Sequence, residues 1–184
     1  MRAMAAIALL LFACASPPLP HAFDALIGRA GVVTLTNLHP DEPRSRLFAV
    51  NYQQAGLIPV CSPVTLLERD RKRLVFRSDA SGKTYEYYYH ELIREPFGDH
   101  LVRYFGMKCP RAALDALPEI DRRGVAHGKP YIGMSKQGVT LAMGYPPPHV
   151  TPSLEADRWI YWTNRFNKLA VVFDESGHVI AVEN

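Results

Sequence analysis

The stretch His90-Glu91-Leu92-Ile93-Arg94 comes nearest to a catalytic motif in this chain. In the zinc-binding pattern H-E-x-x-H, two imidazoles one helical turn apart hold a metal ion and the Glu activates a water. Here Arg94 stands at the second ligand position, and a guanidinium stays protonated, so no zinc site is expected. Gly82-Lys83-Thr84 has the ending of a phosphate-binding loop, but Arg77 sits where the first glycine must be. The seven histidines include no pair four residues apart, the three cysteines form no cluster, and there is no Gly-x-Ser-x-Gly elbow. His90, His100 and Asp99 are the one set that folding could gather into an acid–base site. The expectation is therefore a protein without catalytic residues, bound metal or cofactor.

The thiol of Cys14 has a different chemistry open to it. Arg2 precedes an apolar run that ends in small residues, the pattern of a secretory signal over residues 1–15. The run is shorter than the roughly 20 apolar residues a bilayer-spanning helix needs. Two processing sites overlap. Ala13-Cys14-Ala15 fits a cut before Ser16, which would release a periplasmic protein. Leu11-Phe12-Ala13-Cys14 fits a bacterial lipobox, in which the thiol takes a diacylglycerol and Cys14 becomes the anchored N-terminus. Each buried CH2 of such an anchor adds about 0.8 kcal/mol of membrane affinity. Ala15, rather than Asp, after the cysteine points to the outer membrane of a two-membrane envelope. In that oxidising compartment Cys61 and Cys109 are expected to pair, the alternative being two separate buried thiols.

These residues must be positioned by a chain of 184 residues, 48% apolar, with a formal charge of +3. That is enough for one ordinary domain or two small ones, and too weakly basic to argue for nucleic acid. The 15 prolines favour short elements. Residues 16–30 open with Ser-Pro-Pro-Leu-Pro and read as an extended tether. A β-rich domain is expected over 31–95, with strands at 31–37, 46–52, 57–60, 64–68, 74–77 and 84–90, forming an SH3-like barrel or a curled sheet. Arg69-Asp70-Arg71-Lys72-Arg73 makes a charged hairpin tip. Tyr85, Tyr87 and Tyr89 share a face by the period of two, either a half-buried sheet face or a stacking surface for a peptide or glycan. Residues 96–119 read as a helical connector leaning on both halves. Its first helix starts at Pro96, carries Phe97, Leu101, Val102 and Phe105 on one stripe, and ends at Gly106.

The final third is the most regular. Ser135 is a good N-cap for a helix whose Val139, Ala142 and Met143 form one stripe, with Gly144 and Pro146 as its stop. Gly138 inside it costs about 1 kcal/mol relative to Ala, so the helix must lean on a sheet. Strands at 157–163, 168–173 and 178–182 supply one, joined by Asn164-Arg165-Phe166-Asn167 and by a turn ending at Gly177. The fold class is α+β.

Gly133-Met134-Ser135, Val139, Gly144, Pro146, Trp159-x-Tyr161, Phe173 and Gly177-x-Val179 occur in an order that resembles the SmpA/OmlA domain, the BamE-like fold of outer-membrane lipoproteins. The resemblance covers residues 120–184 and implies an ααβββ unit in a non-enzymatic envelope protein, with an envelope protein or an outer-membrane assembly complex as partner. The same unit is also similar to the repeats of β-lactamase inhibitor proteins, which leaves a periplasmic ligand-binding or inhibitor module as the alternative. Docking is expected at Arg165 and Phe166 on the hairpin tip and at Tyr145 and His149 in the proline loop, because aromatic and Arg groups at turns make good anchors. The tip fails as an anchor if Phe166 folds back onto the sheet. The intact mass of the mature protein checks the anchor: a diacylglyceryl modification on an N-terminal Cys14 is expected, and a free Ser16 would exclude it.

Overall fold

The structure is a computed structural model that describes residues 21–184. Cys14, the signal region 1–15 and the tether as far as Pro20 lie outside the described residues. Residues 21–30, the rest of the expected tether, are part of the fold instead. The proline-rich pattern ends at Pro20, and His21 then caps a 3-10 turn, Ala22–Leu26. Its ring accepts the Phe23 N–H at 3.0 Å, and the Asp24 carboxylate accepts the His21 N–H at 2.8 Å. This turn drives Phe23 into the core, edge-on to Phe105. Asp24 accepts two hydrogen bonds from Arg69, at 2.6 and 2.8 Å.

The first half contains β1 (Val33–Thr34), β2 (Arg46–Phe48), β3 (Val64–Arg69), β4 (Arg73–Ser78), β5 (Thr84–Tyr88), α1 (Phe97–Leu101) and β6 (Phe105–Gly106). Four of these strands form one sheet in the order β2-β5-β4-β3, with β2 parallel to β5 and the other pairs antiparallel. The strand expected at 57–60 reduces to a bridge between Leu38 and Ile58. Pro59 has no N–H to give a ladder. The strand expected at 31–37 shrinks to β1, which pairs with β6.

Alternation along β4 and β5 turns Leu74, Phe76, Tyr85 and Tyr87 inward. The stacking surface considered for the tyrosines is therefore overturned: Tyr85 and Tyr87 are 4% and 2% exposed and pack on Phe76, Phe97 and Phe105. The helix expected over 96–106 stops at Leu101. Phe105 buries its ring by joining β6, so sheet pairing wins over helical propensity and Val102 is left exposed. Cys61 and Cys109 are joined by a disulfide, Cα to Cα 5.0 Å, with a sequence separation of 48. Closing a loop of that length stabilises by about 4 kcal/mol through the unfolded chain.

The second half contains α2 (Arg111–Asp115), α3 (Glu119–His127), α4 (Lys136–Met143), β7 (Arg158–Trp162), β8 (Lys168–Phe173) and β9 (Val179–Glu183). Of the connector expected over 96–119, α1 belongs to the first core, and α3, which begins where the connector ends, packs on α4. The strands form an antiparallel meander, β7-β8-β9. The stripe Val139, Ala142 and Met143 joins Trp159, Tyr161, Val171 and Phe173 in a second core, in which the Trp159 and Phe173 rings lie 4.8 Å apart.

Helix α4 is held at both ends by other elements. At its start, Ser135 accepts the Gly138 N–H at 3.0 Å and donates its own N–H and hydroxyl to the fully buried Asp121 carboxylate of α3, at 2.9 and 2.5 Å. A carboxylate there also meets the positive end of the helix dipole. At its finish, the carbonyls that no helical N–H can reach are taken by the first half. The Asn37 N–H reaches Leu141 O at 2.9 Å, and the Asn37 amide and His39 Nε2 reach Ala142 O at 3.1 and 2.9 Å. The side-chain amides of Asn51 and Gln53 reach Met143 O at 2.8 and 2.9 Å.

Gly138 explains its own helix-breaking presence: a Cβ at this position would run into the Asp121 carboxylate. Two effects therefore oppose each other in Gly138→Ala. Helix propensity favours alanine by about 1 kcal/mol. Overpacking against a buried, hydrogen-bonded carboxylate costs about 1–3 kcal/mol. The expected outcome is net destabilisation, read as a lower urea midpoint; a midpoint that rises would refute the close approach of α3 and α4.

Candidate functional site

The two sheets meet where β2 runs out. Asn51, with φ of 51°, turns the chain by donating its N–H to Phe48 O at 2.8 Å. The residues that follow then lie along β7. Tyr52 bridges Trp162 in parallel, and the Gln53 N–H donates to Trp162 O at 2.7 Å. The hairpin tip between β7 and β8 closes beside this junction. The Asn164 side chain accepts the Phe166 and Asn167 N–H groups at 2.8 and 2.9 Å, an Asx turn that aims both tip side chains outward. Phe166 does not fold back: it is 75% exposed, with the Arg165 guanidinium 4.6 Å from its ring centroid.

Between tip and sheet edge lies a cleft of about 570 Å³, walled by Phe48, Tyr52, Gln54 and Asn164 and lined with Arg44, Arg46, His90 and Arg165. Asp41 is the one acidic residue lining it. Its carboxylate accepts from Arg44 at 3.0 Å and lies 3.7 Å from Arg46. Desolvation works against the charged form of Asp41, but the hydrogen bond and charge of Arg44 outweigh it and hold the carboxyl below its usual range. Arg165 makes no ion pair among the described residues.

A smaller recess of about 130 Å³ opens beside the cleft, lined by Val50, Tyr52, Leu92, His149, Trp162 and Arg165. The His149 and Trp162 rings are nearly parallel, 6.3 Å between centroids, and the Lys168 ammonium lies 4.6 Å from the Trp162 ring centroid. Trp162 Nε1 and His149 Nδ1 are buried without a hydrogen-bond partner among the described residues, as is Arg46 Nε in the cleft. Desolvation lowers the pKa of His149, and the nearby charges of His90, Arg94 and Lys168 lower it further, which marks the local potential as positive.

The expected docking residues are only partly brought together. Arg165 and His149 line the same recess, and Phe166 stands next to Arg165 on the tip. Tyr145 is elsewhere. Its ring lies against Arg103 and Tyr104, and it lines a separate apolar groove of about 620 Å³ with Leu35, Val102 and Leu154. The loop from Tyr145 to His149 is not free, because Pro146 and Pro147 are buried and the Tyr145 carbonyl accepts from Asn51 at 2.8 Å. Arg44, Arg46, Tyr52 and Trp162 were not anticipated as lining residues. For Tyr52 the signal in the sequence is the polar, aromatic run Asn51-Tyr52-Gln53-Gln54, too polar to continue a core strand; Arg44, Arg46 and Trp162 carry no such local signal.

The acid–base set His90, His100 and Asp99 does not assemble. The Asp99 carboxylate pairs with His21 Nε2 at 2.8 Å. His100 is buried, with Nε2 2.8 Å from the Tyr87 hydroxyl and Nδ1 3.2 Å from Glu95, which also binds Arg103. At the Arg69–Arg73 tip, Arg69 is engaged by Asp24 and Arg73 by Glu68 and Glu86. Among the described residues no cluster of His, Cys, Asp or Glu could hold a metal ion, and no helix is long and apolar enough to cross a membrane. No protein-family model, curated protein or solved structure matches the chain.

Burial pushes the pKa of both His39 and His100 down from 6.5. Above that pH both folded and unfolded chains carry neutral imidazoles, and the stability these sites contribute is fully present. As pH falls below it, the unfolded chain takes up protons that the folded chain refuses, so stability is lost toward the folded-state pKa values. Urea midpoints are expected to be flat between about pH 7 and 8 and to decline as pH falls below about 6.5, with a shallower decline for His39→Gln. A midpoint that does not change over that window would contradict the neutral, buried state of both rings.

Proposed function

We propose that this chain is a non-enzymatic lipoprotein of the bacterial envelope that acts by docking another envelope protein through the seam between its two halves. The observation that carries this reading is the Arg165–Phe166 tip: an Asx turn holds the aromatic ring 75% exposed, next to Arg165, which lines a cleft built from both halves. Exposed aromatic and Arg groups around a concave surface have the composition of an interface centre. Three features support the setting. The N-terminus has the pattern of a secretory signal with a lipobox at Cys14, the Cys61–Cys109 disulfide suits an oxidising compartment, and the order α3-α4-β7-β8-β9 suits the SmpA/OmlA resemblance. On this reading lipid on Cys14 holds the protein at the periplasmic face of the outer membrane, and a β-barrel assembly complex is the partner of first choice.

A photo-reactive phenylalanine analogue at position 166, in cells producing the full chain, tests this. Ultraviolet light is expected to give an adduct with an outer-membrane assembly protein, and Arg165→Glu in the same chain is expected to reduce it several-fold. Recovery of the uncrosslinked chain alone, with normal export and folding, would refute docking through this tip. An adduct with a soluble periplasmic enzyme would favour the inhibitor reading instead.

A further inference from the structure

We infer that the seam takes an extended acidic segment of its partner protein, with one apolar side chain in the recess beside Trp162 and flanking carboxylates on Arg44, Arg46 and Arg165. This rests on the docking reading above and specifies the chemistry of what is docked.

The recess supplies the anchor. Its volume of about 130 Å³ is close to the roughly 150 Å³ of an apolar cavity that holds benzene, so it suits a single ring or branched aliphatic group. Val50, Leu92, Tyr52 and Trp162 supply its apolar walls, with His149 and Arg165 at its polar side. The cleft supplies the charge. Three guanidinium groups and His90 line it against the lone carboxylate of Asp41, and guanidinium pairs with carboxylate in a planar, two-bonded geometry. Tyr52 and Arg165 line both hollows, so one chain running through the seam fills the recess and reaches the arginines in turn.

A phosphate-rich polyanion would satisfy the arginines as well, but it has nothing apolar to place beside Trp162. An uncharged apolar peptide would fill the recess but bury Arg165 without a partner and leave Arg44 and Arg46 to share Asp41, which is costly. An acidic segment with one apolar anchor is the occupant that uses both parts. An apolar pocket ringed by charged groups is also the arrangement that concentrates binding energy at protein interfaces.

The full chain, extracted in detergent, is panned against a display library of random twelve-residue peptides. Enrichment of peptides with Asp or Glu within two positions of an aromatic or branched aliphatic residue is expected. The leading peptide, followed by fluorescence anisotropy, is expected to bind about tenfold more weakly to Arg165→Glu, and to weaken by a similar factor with Leu92→Trp, which fills the recess. Both positions are exposed, and the unfolding midpoint of each variant confirms that it is folded. Enrichment with no acidic bias, or affinity unchanged in Leu92→Trp, overturns the proposal. Tight binding of inorganic polyphosphate with equal affinity to the wild type and Leu92→Trp also overturns it, in favour of a phosphate polyanion. A cross-link from position 166 without acidic enrichment would reject this occupant and leave docking standing; the absence of both would reject docking itself.

Discussion

The carbonyl groups at the end of α4 set the relation between the two halves. A helix leaves its last carbonyls without internal donors, and burying them unpaired costs about 1–3 kcal/mol each. Here the donors come from Asn37, His39, Asn51 and Gln53, all in the first half. These are short, directional contacts that tolerate little sliding. The junction therefore behaves as a packed interior, and the halves cannot reorient without giving up several buried hydrogen bonds together. Asn51 has two duties: its amide caps α4, and its left-handed backbone sends Tyr52 toward Trp162. The wall of the cleft is thus built by the residue that locks the seam.

Neutral amides in this capping role have an electrostatic consequence. The negative end of a helix dipole commonly draws Lys or Arg. Here amides and a neutral imidazole satisfy it, and the nearby arginines are left facing the cleft. Elsewhere some arginines are matched to carboxylates, as with Arg69 and Asp24, Arg103 and Glu95, and Arg158 and Glu183, while others, such as Arg29 and Arg123, make no ion pair among the described residues. Around the seam Arg44 and Arg46 share Asp41, and Arg165 has no carboxylate partner among the described residues. What is particular to the seam is the grouping of three guanidinium groups around one carboxylate, and a formal charge of +3 over the whole chain gives no hint of it.

Local pattern made much of the fold legible. The cap at Ser135, the stripe on α4 and the alternation along β7 and β8 each follow from short-range periodicity, and their elements stand where that periodicity puts them. Partnerships between distant segments were not legible. Phe105 reads as the last residue of a helical stripe, because nothing nearby in sequence reveals that β1 offers it a strand partner. Gly138 reads as a defect until Asp121 is seen against it. Asn37 and Asn51 read as turn residues, since their partners lie about ninety to a hundred positions away. The same limit explains the candidate site. Its tip, Arg165 and Phe166, is a local feature; its walls come from residues 41–54, 90–92 and 149, brought together by contacts between distant segments such as the β2–β5 pairing and the Tyr52–Trp162 bridge.

The exposed Phe166 has a physical rationale at the hairpin tip. A phenylalanine in water contributes nothing to the fold, whereas burying it fully against a partner is worth about 1.5–3 kcal/mol. That gain is reduced when the ring must first be ordered. At this tip the ordering is already supplied by the fold: Asn164 accepts the N–H groups of Phe166 and Asn167, and the guanidinium of Arg165 rests over the ring. An aromatic group held in place before contact, next to the unpaired guanidinium of Arg165, loses little freedom on binding. On the docking reading its exposure is readiness for a partner.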